Sequence, residues 1–318
     1  MNTAIIGHEK IVEFFENIAR SGNLSHAYCL IGPDHIGRRK VAETIAAELL
    51  EIPPGDLNLS PDYRLVDRLP DEKTGKLKKD ISVEQIRELV YFLGQSAFRK
   101  NGCKAAIIND IENLNQSGAN SLLKSLEEMD DKTIVFLLVG DAASVLPTIL
   151  SRARKIFFAP VREGAIFEYL KNNGADDDLA GELARMSRGL PGHAIRWLRE
   201  PDSLARRVNE EKRFESLFHQ PFYQKLQSVE DLFGDKSDHI KARAELSEVL
   251  DLWQEMIVAR LRTGAVGGIM TGVDSSKNEN IAPKELIAME NCVAAAKAGL
   301  RENIHPRLLV EDILLQIP

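Results

Sequence analysis

Cysteine is scarce, no apolar run is long, and there is no excess of basic charge. The three cysteines, Cys29, Cys103 and Cys292, are spread across 318 residues. They form no Cys-x-x-Cys pair and no zinc spacing, so no metal site is expected. Buried or bystander thiols in a reducing cytoplasm account for them. No apolar run reaches the ~20 residues that span a bilayer, so no membrane contact is expected. Met1-Asn2-Thr3-Ala4 has no basic stretch and predicts no secretory leader. Basic residues number 41 against 48 acidic ones, a net charge of -7. That excludes a general nucleic-acid coat and leaves room for a local basic patch.

The rest of the composition is that of a globular protein, 44% apolar and 28% charged. A chain of this length predicts two or three domains. Ile11, Phe14, Phe15 and Ile18 predict an amphipathic helix over 5–20. A short strand, Ala27-Tyr28-Cys29-Leu30-Ile31, runs into a turn from Gly32 to Arg39 and then a helix, Lys40–Leu50.

Strand, Gly-x4-Gly, helix is the layout of a phosphate-binding loop, in which backbone N–H groups and the helix N-terminus converge on an anion. Gly32 and Gly37 keep the layout, but Arg38 and Arg39 stand where the motif asks for Lys and Ser/Thr. A cation in place of the hydroxyl repels Mg²⁺, while Arg38 can still meet a phosphate. The loop reads as the old shape without working chemistry. A plain strand-turn-helix is nearly equivalent in function.

Residues 51–80 read as connecting structure around one strand, Tyr63–Val66. Ser82 and Gln85 predict a capping box, and Ile81 with Ile86 a hydrophobic staple, at the start of a helix buried through Val83, Ile86, Leu89, Val90 and Leu93. Residues 103–110 predict a strand buried on both faces. Asn109-Asp110 at its end stands where nucleotide motors hold an Asp-Glu pair, and reads as a polar strand end capping the next turn. Ala119, Leu122, Leu123 and Leu126 predict a helix ending in a solvated acidic tip, Glu127-Glu128. Strands alternating with helices imply a mostly parallel α/β sheet with its sites at the strands' carboxyl ends.

The strand Thr133–Val139 leads to Pro147-Thr148-Ile149-Leu150-Ser151-Arg152, followed by Ile156-Phe157-Phe158. This arrangement presents one arginine at a domain edge. A guanidinium suits phosphate oxygens and can complete a neighbour's phosphate site. Taken alone, Arg152 reads better as a solvated arginine.

Helices are expected at 163–172, 177–187 and His193–Arg199, with Trp197 in packing rather than base stacking. Apolar stripes at Leu246–Ile257, Val293–Leu300 and Leu308–Leu314 predict an all-helical end, and 264–283 a mobile loop. The stripes fit a ring-forming collar or a self-sufficient bundle.

In order and spacing, several segments resemble the clamp-loader branch of the AAA+ ATPases. They are Gly7-His8, His26-Ala27-Tyr28, Gly32-Pro33, Ile36-Gly37, the run Ala119–Glu128, Leu146–Arg152, Ser187–Ala194 and Asn303–Glu311. The resemblance implies an α/β plus all-α chain: a P-loop AAA+ parallel-sheet domain over 1–160, a helical lid over 161–203 and a helical collar over 204–318. Against that pattern the chain has Arg38 and Arg39 for Lys and Thr, Asn109 for the metal-orienting acid, Val139 for a polar sensor and His193 for the lid arginine. Ala153 replaces the cysteine after Ser-Arg, and the four-cysteine zinc module is absent.

The resemblance therefore implies a subunit with no autonomous catalysis and no cofactor. Gly32, Gly37, Arg38 and Arg39 would form a degenerate, non-functional nucleotide loop. Ser151 and Arg152 would act in trans on a neighbour's ATP. Implied partners are gamma/tau-type motor and delta-type subunits, a sliding clamp and primer-template DNA, within a cytoplasmic DNA-directed DNA polymerase holoenzyme.

One alternative is a self-contained gamma/tau-type ATPase, against which the end of the chain at Pro318 is weighed. The other is a lone DNA-binding module using Lys76, Lys78, Lys79, Arg99, Lys100 and Lys104. Such a scattered set reads as a solvated face.

Overall fold

Three short apolar runs fill the middle of a parallel sheet and set the position of everything else. The structure, a computed structural model, describes residues 5–71, 78, 80–99, 102–129, 132–218, 220–233, 239–265, 281–302 and 304–318. The chain divides into two compact units, one ending at Pro201 and the other beginning at Asp202.

The first unit opens with α1 (Glu9–Ser21), β1 (Ala27–Ile31) and α2 (Arg38–Leu49). It continues with β2 (Tyr63–Val66), α3 (Val83–Leu93), β3 (Lys104–Ile108), α4 (Gln116–Glu128) and β4 (Thr133–Val139). Then come α5 (Pro147–Leu150), β5 (Arg154–Phe157), α6 (Glu163–Asn172), α7 (Asp177–Met186) and α8 (Pro191–Arg199). The strands lie in the order β2-β3-β4-β1-β5, and every pairing is parallel. β1, β3 and β4 are buried throughout, as their unbroken apolar runs require of strands covered on both faces.

One apolar layer packs α3 and α4 on one face of the sheet, through Ile86, Leu89, Leu122 and Leu126. The other packs α1 and α2 on the opposite face, through Phe15, Val41, Ala42 and Ile45. The capping box forms at Ser82 and Gln85, with Ile81 and Ile86 fully buried beside it.

Some boundaries differ from the sequence reading. α1 starts at Glu9 rather than residue 5, because Gly7 and His8 are both left-handed, at φ 69° and 63°. A Cβ on Gly7 would lie 2.8 Å from Val161 Cγ1, so the turn also needs a bare glycine. α2 starts two residues early, on Gly37 at φ 107°. α8 starts at Pro191, a natural first helical residue, rather than at His193.

The second unit takes up α9 (Pro201–Leu217) from its second residue on and contains α10 (Phe222–Ser228), α11 (His239–Ala265), α12 (Pro283–Arg301) and α13 (Pro306–Gln316). Its core gathers Phe214, Leu250, Trp253, Ile257, Met289, Val293, Val310 and Ile313. Buried Glu210 accepts from Trp253 Nε1 at 2.8 Å and from Arg213 at 2.6 Å. The loop expected at 264–283 falls largely outside the described residues, though α11 continues to Ala265. Among the described residues no helix is long and apolar enough to cross a membrane.

Candidate functional site

The carboxyl ends of β1, β3 and β4 meet at a cavity of about 530 Å³. Ile6, His8, His35, Arg38, Asp110 and Ile195 are among the residues that line it. The turn between Gly32 and Gly37 forms its floor. Gly32 N–H donates to the Val139 carbonyl at 3.1 Å, and a Cβ on Gly32 would sit 2.9 Å from Phe158 Cβ. The Ile36 carbonyl accepts from His8 Nε2 at 2.9 Å, which ties the amino-terminal segment to the turn.

Arg38 does not project to solvent. Its residue is 6% exposed, and its NH2 group donates to Asp34 Oδ1 at 2.5 Å and lies 4.0 Å from Asp110 Oδ1. Its NH1 group has no hydrogen-bond partner among the described residues. Arg39 lies on the rim, donating to Glu43 at 2.8 Å and Asp67 at 3.3 Å. Asn109 turns toward Asp67 and Asp110. Burial, and then the negative charges of Asp34 and Glu112, push the Asp110 carboxyl up to about 6 against the pull of Arg38 and Arg68.

A nucleotide-bound Mg²⁺ needs hard oxygen ligands at this point. Here the carboxylates face a guanidinium of the same chain, so the residues present do not fit that ion. Asp110 caps the turn that follows, as read from the sequence, but through its backbone: its carbonyl accepts from Asn113 N–H at 2.9 Å. Asp110 is left-handed, at φ 46°, and its side chain makes no cap bond to the turn that follows.

The start of α8 closes one side of the cavity. Gly192 N–H donates to the His35 carbonyl at 2.8 Å, and a Cβ on Gly192 would lie 2.9 Å from His35 Cα. The His193 ring stacks on His35, with centroids 4.0 Å apart, and on Trp197 at 5.3 Å. Trp197 is buried, in keeping with a packing role.

Ser151 and Arg152 stand elsewhere. β5 runs parallel to β1 and begins two residues after Arg152, so Arg152 lies at the amino-end rim of the sheet. The cavity lies at the carboxyl-end rim, one strand length away, about 16 Å for five residues. Ser151 Oγ donates to the Thr148 carbonyl at 3.0 Å. Arg152 NH1 donates to the same carbonyl at 2.9 Å. Its Nε donates to Glu127 Oε1 at 2.7 Å, and NH2 joins the same oxygen. Glu127 is solvated, as the sequence suggests, and is also paired with Arg152.

The structure thus gathers Gly32, Gly37, Arg38 and Arg39 at one rim and sets Ser151 and Arg152 at the other. Sequence reasoning missed Asp34, which neutralises Arg38. It also missed Glu112, which accepts from Gly140 N–H at 2.9 Å just beyond Val139. A carboxylate four residues before Arg38 on the same turn was the one available signal for Asp34. Of the basic residues considered for DNA, Lys104 is buried and donates to the Phe92 carbonyl at 2.5 Å, so it does not face a ligand. Arg99 pairs with Glu51. Lys76, Lys79 and Lys100 lie outside the described residues.

The strand order and the turn after β1 are those of an α/β domain of the AAA+ fold. A solved Thermotoga maritima protein described as DNA polymerase III gamma subunit-related shares the fold. It has a TM-score of 0.50 and 18% identity, covering 95% of this chain and 97% of that one. Residues 7–162 match the family described as DNA polymerase III, delta subunit. A Pseudomonas aeruginosa DNA polymerase III subunit delta' is 33% identical over 183 residues, 52% of this chain and 54% of that protein. A Haemophilus influenzae subunit delta' is 36% identical over 124 residues, 38% of this chain and 37% of that protein. The chain thus spans about half the length, or less, of these curated relatives. Over residues 7–162 it is similar to that family and to these delta' subunits.

Proposed function

We propose that the chain is an ATPase-inactive subunit of a DNA polymerase III clamp loader and lends Arg152 to the ATP of a neighbouring gamma/tau-type motor subunit. Its partners in this reading are motor and delta subunits, the sliding clamp and primer-template DNA, in cytoplasmic DNA replication. The lid is taken as 161–203 and the collar as 204–318.

The observation that carries the reading is the separation of the two rims. Arg152 is at the amino-end rim, out of reach of the chain's own cavity, where Arg38 is bound to Asp34. An arginine so placed can serve only a phosphate brought by another molecule. Its chemistry suits that task, because a guanidinium stabilises charge developing on a transferring phosphoryl group.

The test is the DNA-stimulated ATPase of the reconstituted complex. Arg152→Ala is expected to assemble normally and to lower turnover on the order of 10³-fold or more. Unchanged turnover in a complete complex contradicts the role.

The cavity of about 530 Å³ favours a second reading, a self-contained motor. Titration calorimetry of the isolated chain separates the two. The first reading expects no tight Mg-ATP binding at Gly32–Arg39, and the second requires it.

A further inference from the structure

We propose that Glu127 is a positioning residue that sets the guanidinium of Arg152 before a neighbour's phosphate arrives. This rests on the reading of Arg152 as a trans-acting arginine and says how that arginine is prepared. A guanidinium has five N–H groups, one on Nε and two on each terminal nitrogen. Glu127 Oε1 takes the Nε group at 2.7 Å and one group of NH2. The Thr148 carbonyl takes one group of NH1 at 2.9 Å. Among the described residues, two N–H groups are left without an acceptor, one on each terminal nitrogen. That pair matches two oxygens of a phosphoryl group.

The arginine side chain is 35% exposed and so open to a partner. A long, many-rotamer side chain held from two directions has already met much of the ordering cost of binding.

The place of Glu127 in its own helix gives independent support. It lies in the last turn of α4, where the helix dipole disfavours an acid. The pairing with Arg152 across 25 residues offsets that cost. A latch that withholds Arg152 is the opposite possibility. The donor count argues against it, since a phosphate can meet the remaining N–H groups with the Glu127 contact intact.

The experiment uses the complex reconstituted with motor and delta subunits, with assembly checked by co-elution. Glu127→Ala is expected to lower DNA-stimulated kcat about tenfold with the KM for ATP unchanged. Glu127→Gln, which keeps an acceptor oxygen, should lose less. In an Arg152→Ala background, Glu127→Ala should cost nothing more, because both act through one group. In the isolated chain, the Arg152 Nε–H NMR signal should be protected in the wild type and lost in Glu127→Ala.

Equal losses in both backgrounds would show that Glu127 acts elsewhere and would overturn the inference. A rise in kcat would mean a latch and would also overturn it. A harmless Glu127→Ala beside a damaging Arg152→Ala would remove the inference alone. A harmless Arg152→Ala would remove the reading of Arg152 and the inference together, whatever the NMR signal shows.

Discussion

At the scale of single residues, the chain's own cavity is governed by one buried cation and the acids around it. Arg38 is bound to Asp34 and lies near Asp110, and the Asp110 carboxyl is pushed up from 3.8 to about 6, chiefly by burial. Between about pH 4 and pH 6 the folded state therefore holds more protons than the unfolded chain. Stability falls as pH rises through that window and stays lowered above it. Asp110→Asn removes the titration. It is expected to stabilise the first unit at pH 7.5 on the order of 1 kcal/mol, with the gain vanishing below about pH 4. Hydrogen exchange in β3 and α2 at the two pH values measures this, without assuming that both units unfold together.

Residue identity made part of this site legible. Arg38 and Arg39 stand out against the phosphate-loop pattern and Asn109 against the motors' acidic pair, whereas Val139 stands out only through the family resemblance. The pairings of Arg152 with Glu127, and of Gly140 with Glu112, were not legible, because they cross 25 and 28 residues. Only the sheet brings those partners together.

At the scale of elements, the turn after β1 and the start of α8 are joined through backbone atoms. The amide of Gly192, in the first turn of α8, donates to the His35 carbonyl, and a Cβ there would come within 2.9 Å of His35 Cα and O. These are backbone atoms, which cannot swing aside as a side chain can. Gly192→Ala is expected to loosen α8 from the turn at a cost of about 1–3 kcal/mol. Faster amide exchange across 192–199, with β1 and β4 unchanged, is the expected readout. Unchanged exchange at 192 would mean the contact holds nothing.

The elements themselves were mostly legible from pattern. α3 announces its start with Ser82 and Gln85 and its buried face with Ile86 and Leu89, and all of these behave as written. α1 was read too long because periodicity cannot reveal a left-handed pair at Gly7 and His8. The first of them is forced by its approach to Val161.

At the scale of the whole molecule, a parallel sheet has two unlike ends, and this chain uses them differently. One rim carries a cavity whose cation and acids neutralise each other. The other carries an arginine with N–H groups to spare. The alternation of strands and helices made the sheet legible and its direction a consequence. That the two candidate sites fall on opposite rims follows only from the register of β5 against β1. The apolar stripes of the helical unit foretold its core, which gathers Trp253, Met289 and Ile313. They carry no information on what that unit binds.

The central claim is that Arg152 meets a neighbour's phosphate through its fork and not merely through its charge. Single-turnover ATP hydrolysis on primer-template DNA, by complexes carrying Arg152→Lys, tests this most directly. Lysine keeps the charge and loses the planar donor pair. The account predicts a rate reduced nearly as far as with Arg152→Ala, on the order of 10²-fold or more, with ATP still bound. A rate within twofold of the wild type would show that any surface cation suffices, and would contradict the account.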